Sequence, residues 1–450
     1  MPARKFSFLW FLSLVCLFPQ TLSAQKFNET GHLLNVINFQ PRETRSHPQN
    51  WEITQDHRGI LYFGNNDGLL EFDGLNWDKI NINDQVVRSL DVDIMGRVYI
   101  GLYSPGGYGY LSVNEKGLFE YKSLSETLDS VFHDTGPIEM VKTTTEGVFF
   151  QSNYYIFFWN GDSTKIWESE TIFHTAHYIK DELFTREADI GLKVLKDGEF
   201  KLIPGGEKFA NIAIADMINY EDDILIFTET DGIFIMKISA QNNQIEYYRH
   251  FNDLDNFLFE NQINCAIRIS DDKFAIGTQG KGVVIYDQKT DVFNFINFTS
   301  GLQAEAVNDM FLDQQNNLWL SLNKGLSVIH PVSPLTFFGY NSGIKETVEG
   351  ICRHNNTLFI GTHLGVKYLS IYQKEKSLPQ SVYNQLYNIP AFRSIENLEE
   401  QCYALTNFIS ESEEILLIVS YNGIYELTSD FKANLIHECA PWNVFQSKSN

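Results

Sequence analysis

Three tyrosines fall within eight residues at Tyr103, Tyr108 and Tyr110, in the run YSPGGYGY. Tyrosine rings stack on sugar faces, and their hydroxyls hydrogen-bond at the same time. These three are therefore the candidate ligand-binding residues; the plainer alternative is that they pack their own loop. His174 and His177 sit three apart in FHTAHY, a spacing that sends two side chains to opposite faces of a regular strand. No metal site is expected there. Carboxylate pairs such as Asp222-Asp223, Asp271-Asp272 and Glu399-Glu400 read as solvated turns. Asp56 and Asp313 read as turn caps bonding nearby backbone. A catalytic reading needs nucleophile, base and charge stabilisation to converge, and the sequence holds no GxSxG elbow, HExxH helix, Walker loop or GxGxxG after a strand. The glycines of SPGGYGYLS lead into a strand, where no helix N-terminus can receive a phosphate. No catalytic residue, cofactor or metal is expected; binding is favoured over catalysis.

The elements that hold these residues are written repeatedly. DHRGILYFGNNDGLLEF at Asp56–Phe72 returns as DQQNNLWLSLNKGLSVI at Asp313–Ile329. Six residues after a strand-centre residue comes a glycine: Tyr62 to Gly68, Ile226 to Gly232, Phe274 to Gly280, Trp319 to Gly325, Phe359 to Gly365 and Leu417 to Gly423. One strand, a tight turn and the next strand fit that interval. Each unit adds an alternating run ahead, as in NWEITQ or VNDMFL, and a looser one behind, as in VFNFINF. Weaker copies fill the gaps, and about nine units of roughly forty residues lie between Trp51 and His437, a period that marks a β-propeller. One such meander cannot cover both its faces, whereas radial packing of siblings can. The expected fold is all-β, a propeller of four-stranded antiparallel blades. Nine blades exceed a usual ring, so one seven-bladed ring over 27–338 and the start of an incomplete second ring over 339–450 are expected. Trp319 is expected to pack between blades.

Composition agrees. Aromatics are 14% of residues and phenylalanine alone contributes 35, which suits half-buried strands. A net charge of −23 repels phosphate backbones and anionic headgroups, arguing against nucleic-acid binding. Arg4 and Lys5, the uncharged run Phe6–Phe18 and small residues at Ser23-Ala24 form an export signal over 1–24 that is too short to span a bilayer. Beyond it, Cys265, Cys352, Cys402 and Cys439 show no CxxC spacing; four separate small hydrophobes are expected, with one or two disulfides as the alternative.

NDMFLDQQNNLWLSLNKGLSVI resembles the two-component regulator propeller repeat, and NWEITQDHRGILYFGNNDGLLEFDGLNW resembles the opening repeat of exported sensor regions that precede a triple-tyrosine domain. The resemblance spans nearly all of the chain after the leader and is weakest in the second to fourth units. It implies a periplasmic, ligand-sensing input module, with oligosaccharide or another small molecule as ligand. It also implies paired propellers, a downstream membrane helix, a histidine-kinase or helix-turn-helix output outside this chain, and a possible homodimer. Alternatives on the same scaffold are a secreted enzyme acting on polysaccharide and a glycan-binding scaffold.

Overall fold

The computed structural model describes residues 35–103, 106–238, 244–248, 253–289, 292–331, 337–339, 342–370, 391–409 and 414–444. The leader at 1–24 and residues Ser104 and Pro105 of the tyrosine loop lie outside them. Among the described residues the chain forms nine four-stranded antiparallel sheets, matching the nine repeats. We number these blades 1 to 9. Their innermost strands are Asn50–Gln55, Val87–Val92, Ile138–Thr143, Phe173–Ile179, Ile214–Tyr220, Ile263–Ser270, Val307–Leu312, Val348–His354 and Cys402–Ile409.

Eight blades are simple meanders. Blade 7 takes its outermost strand from the other end of the sequence: Val36–Phe39 pairs with Leu326–Ile329, with Ile37 opposite Val328. Inner strands of blades 1 to 7 pack against each other in chain order, and that of blade 7 packs against that of blade 1. Blade 9 packs on blade 8.

The second strands Leu61–Asn65, Val98–Leu102, Val148–Ser152 and Leu318–Leu322 are buried along their whole length, and those of the other blades are buried beyond their first one or two residues. A strand covered by sheets on both faces must be apolar throughout, and these sequences are nearly so. Trp319 meets the expectation made for it, lying 4% exposed among Phe63, Leu70 and Phe72 of blade 1 and Leu326 and Val328 of its own blade. Asp313 caps its turn through bonds from the N–H groups of Gln315 (2.9 Å) and Asn317 (2.8 Å), and its other oxygen accepts the Trp319 indole N–H at 2.9 Å. Asp56 repeats the device, accepting from the N–H groups of Arg58 and Ile60 and from the Tyr62 hydroxyl.

The recurrent turn glycine has φ of +81° at Gly325, where the left-handed region favours glycine. Blades 6 and 9 differ: Gly423 has no positive φ, and in blade 6 Gly282, not Gly280, carries it, so the six-residue interval lands two positions early there. A second glycine role escaped the sequence reading. A Cβ on Gly101 would stand 2.5 Å from Ile138 Cγ2 of the next inner strand, so glycine there admits the neighbouring blade.

All four described cysteines are free. Cys265 and Cys402 are buried as expected, while Cys352 and Cys439 are partly exposed.

Candidate functional site

Every inner strand begins with a β-bulge. Register shifts occur at Asn50/Ile53, Val87/Ser89, Ile138/Met140, Phe173/Thr175, Ile214/Asp216, Ile263/Cys265 and Val307/Asp309. A bulge leaves a residue unpaired and re-aims its side chain. The re-aimed residues are Trp51, Arg88, Glu139, His174, Ala215, Asn264 and Asn308, one from each of seven consecutive blades and all half-buried. They stand at the end of the blades where the turns between second and third strands return, since Tyr103 N–H bonds Val86 O at 3.1 Å and Glu229 N–H bonds Ala213 O at 3.0 Å. This end is the mouth.

The mouth residues are linked to one another. The Arg88 guanidinium lies 4.0 Å over the Trp51 ring and pairs with Glu139 at 2.7 Å. Asn264 donates to Val307 O (2.8 Å) and Asn308 O (3.1 Å), and Asn308 donates to Asn50 O. His174 Nε2 lies 3.5 Å from Glu229.

Below the mouth lies a collar of acids with a clear physical cause. The innermost strand has no further strand on its open edge, so its N–H groups need other partners. Three carboxylates reach one blade forward to supply them: Glu52 accepts from Leu90 N–H (2.7 Å), Asp216 from Ala266 N–H (2.8 Å) and Asp309 from Ile53 N–H (2.9 Å). All three occupy the same position, one residue before the buried fourth residue of the inner strand. Asp91, two positions later, accepts from Thr143 N–H at 2.9 Å and pairs with Lys142 at 2.9 Å.

Removal from bulk water pushes the Asp216 and Asp309 carboxyls up to about 7, against the pull of the N–H groups they bind. Burial and then the charge of Asp309 raise Glu52 well above the usual carboxylate range. The charge of Asp216 in blade 5 adds to the upward push on Asp309 in blade 7. Burial, then the charge of His174, pulls His177 down to about 4, and its Nδ1 lies 3.4 Å from Asp216. The simple alternation behind the expectation of opposite faces does not hold here, because the register shift between Phe173 and Thr175 takes His174 out of it.

The tyrosines do not converge. Tyr103 is 45% exposed on the mouth side, Tyr108 is fully buried with its ring 4.2 Å from that of Phe150, and Tyr110 is half-buried against Trp159 beneath Arg97. Asp222, Asp271 and Asp272 are turn residues as expected, with Asp271 paired to Arg268, and Asp223 opens a strand and accepts from Ile238 N–H; Glu400 departs from the expectation, being half-buried and accepting from the Ser420 (2.8 Å) and Tyr425 (2.9 Å) hydroxyls. Among the described residues no three His, Cys, Asp or Glu side chains come close enough to hold a metal ion, and no helix is long and apolar enough to cross a membrane.

No protein-family model matches the sequence, and no curated protein matches it. Solved structures match in fold. The extracellular domain of BT3049 from B. thetaiotaomicron, assigned as a hybrid two component system, aligns at TM-score 0.57 with 17% identity over 90% of this chain and 55% of that one. The extracellular domain of BT4673 from the same organism, assigned as a one component system, aligns at 0.53 with 16% identity over 89% of this chain and 53% of that one. The WD40 β-propeller domain of Doa1 aligns at 0.51 with 9% identity over 68% of this chain and 97% of that one. The chain thus spans about half the length of the two bacterial domains, and it shares the β-propeller fold of the Doa1 domain.

Proposed function

We propose that this chain is the exported ligand-sensing input module of a membrane-bound signal-transduction regulator, with oligosaccharide as the ligand class. The carrying observation is the mouth: seven consecutive blades each re-aim one residue into it, giving Trp51, Arg88, Glu139, His174, Ala215, Asn264 and Asn308. A concave site assembled from many short loops suits binding. The fold shared with extracellular domains of two sensor systems supports the sensing direction, and a propeller alone does not choose a function. Tyr103, on the mouth side, is the one of the three tyrosines placed to contribute to that ligand. A periplasmic location, a tether through a downstream membrane helix and pairing as a homodimer belong to this reading.

In the finer architecture, blades 1 to 7 close a ring fastened by Val36–Phe39, and blades 8 and 9 begin a second ring. The fit is seen at equivalent positions of the inner strands. The first and fourth apolar residues, such as Val87 and Leu90 or Val307 and Met310, are no more than 7% exposed in blades 2 to 7. In blade 8 the same positions, Val348 and Ile351, are 44% and 67% exposed, as for a blade whose preceding neighbour is another part of a ring.

The test is a thermal-shift screen of residues 25–450 against an oligosaccharide library, with chromatography of each sugar afterwards. A sensor raises the melting temperature with one sugar class and returns it unchanged. Shortened or unsaturated products would instead favour an enzyme.

A further inference from the structure

The end of the blades opposite the mouth carries the turns that join first to second and third to fourth strands. Leu75, Ile94 and Met95, all in such turns of blades 1 and 2, are the three most exposed large apolar side chains among the described residues, at 83%, 86% and 81%. Leu118, in the other turn of blade 2 at this end, is also exposed. The turns that match Ile94 and Met95 in other blades present exposed polar tips, with Arg58 in blade 1, Glu146 in blade 3, Asp222 in blade 5, Asp272 in blade 6 and Gln315 in blade 7. The fold does not require the apolar residues. Asp93 fixes its turn by accepting the Met95 and Arg97 N–H groups, both at 2.9 Å, and Asp73 accepts those of Leu75 (2.8 Å) and Asn76 (2.6 Å), so these turns close without help from the side chains of Leu75, Ile94 and Met95. The tips of blades 1 and 2 meet, since a Cβ on Gly96 would stand 3.0 Å from His57 Cε1. Large apolar side chains gathered at one end of two adjoining blades and left to water mark a contact surface.

We propose that this end of blades 1 and 2 docks a second copy of the chain through a two-fold contact built on Leu75, Ile94, Met95 and Leu118. This rests on the sensing reading and gives its homodimer a surface. Charge selects the occupant. At a net charge of −23, two copies repel each other over most of their surface, and the contact that costs least is apolar and balanced in sign. This end meets that condition. Asp56 is paired to Arg58 at 2.6 Å, and Arg97 lies in the turn that Asp93 caps. Glu115 and Lys116 follow one another, both exposed, in the turn before Leu118, and neither makes an ion pair among the described residues. A two-fold axis passing between the two turns of blade 2 sets apolar against apolar and turns each copy's Glu115 toward the partner's Lys116, the self-complementary pattern of an isologous contact. An anionic lipid surface is repelled by the same net charge that disfavours other faces of the chain. A dimer made here leaves both mouths open to ligand, because they lie at the opposite end of the blades.

The experiment is sedimentation velocity of residues 25–450 from about 1 to 100 μM, a range that resolves micromolar dissociation constants. It is repeated with Ile94→Ser plus Met95→Ser, with Val131→Ser as a control for an exposed apolar residue at the mouth end, with Glu115→Lys, and with Glu115→Lys plus Lys116→Glu. Circular dichroism melts confirm folding of each variant. The expected result is a dimer whose dissociation constant rises at least about tenfold with the serine pair and less than about twofold with Val131→Ser. Glu115→Lys should weaken it and the double charge exchange should restore it. A dimer that the serine pair leaves intact would overturn this surface while leaving the homodimer in place. A monomer throughout the range would overturn the surface and the homodimer together, with the sugar screen still deciding the sensing reading by itself. Assembly beyond a dimer would overturn the two-fold contact, and a monomer that floats with phosphatidylethanolamine vesicles unless Ile94 and Met95 are replaced would assign the surface to lipid instead.

Discussion

Replacing Asp309 by Asn is expected to stabilise the protein above neutral pH, although it removes a carboxylate that bonds the neighbouring blade. Asp309 accepts Ile53 N–H at 2.9 Å, and burial holds its carboxyl up to about 7. Asparagine keeps an acceptor for that N–H and carries no charge. A group whose titration is raised in the folded state favours folding fully below its unfolded value and loses that contribution as pH climbs through the folded value. The native protein is therefore penalised progressively between about pH 4 and pH 7. From the ordinary 3.8 to about 7, at about 1.4 kcal/mol per pH unit, the penalty is bounded near ~4 kcal/mol. Relaxation of the protein and solvent around the charge reduces this to about 1–2 kcal/mol. The charge of Asp216 from blade 5 adds to the push on Asp309, and that of Asp309 raises Glu52 from blade 1 and the Cys265 thiol from blade 6; Glu52 then titrates more nearly alone in the variant. Thermal melts at pH 5.0, 7.0 and 8.5 are the assay. The variant should match the native protein within about 0.5 kcal/mol at pH 5.0 and exceed it by about 2–8 °C at pH 8.5, taking roughly 2–4 °C per kcal/mol as for large domains. Equal destabilisation at all three pH values would show that the ionised carboxylate–amide bond dominates and that the collar is not proton-loaded.

Further substitutions probe the repeat itself. Asp313→Ala strips the Trp319 indole and two turn N–H groups of their acceptor, and a loss of about 2–4 kcal/mol in denaturant melts is expected. Gly101→Ala drives a Cβ to 2.5 Å from Ile138 Cγ2, and a loss of about 1–3 kcal/mol is expected by the same assay. Ile351→Cys in this chain should react quickly with a maleimide, because the side chain is 67% exposed; in a longer chain that completes a second ring, the same thiol should be protected at least tenfold.

Much of the architecture was legible because the repeat encodes packing. The Tyr62-to-Gly68 interval and its copies marked second and third strands, and the apolar content of those strands follows from burial on both faces. The donor of blade 7's outer strand was missed, although VINF at Val36–Phe39 echoes the FINF of Phe295–Phe298; nothing local says that one completes a blade almost three hundred residues away. The site was less legible for a geometric reason. Alternation predicts faces only in unbroken strands, and the bulge shifts the parity at His174. Its signature was present as paired apolar residues three apart, Val87/Leu90, Ile138/Val141, Phe173/Ala176 and Ile214/Met217, a spacing that fits neither period two nor the flanking strands. Tyr108 was misleading because its type suits a ligand while its position, stacked on Phe150, suits a core.

Hydrogen–deuterium exchange on residues 25–450, with and without a sugar that raises the melting temperature, addresses the sensing role most directly. Slowed exchange confined to the starts of the inner strands of blades 1 to 7 and the turns beside them is the expected result. Protection at the outer strands or the opposite hairpins, with the mouth unchanged, would contradict it.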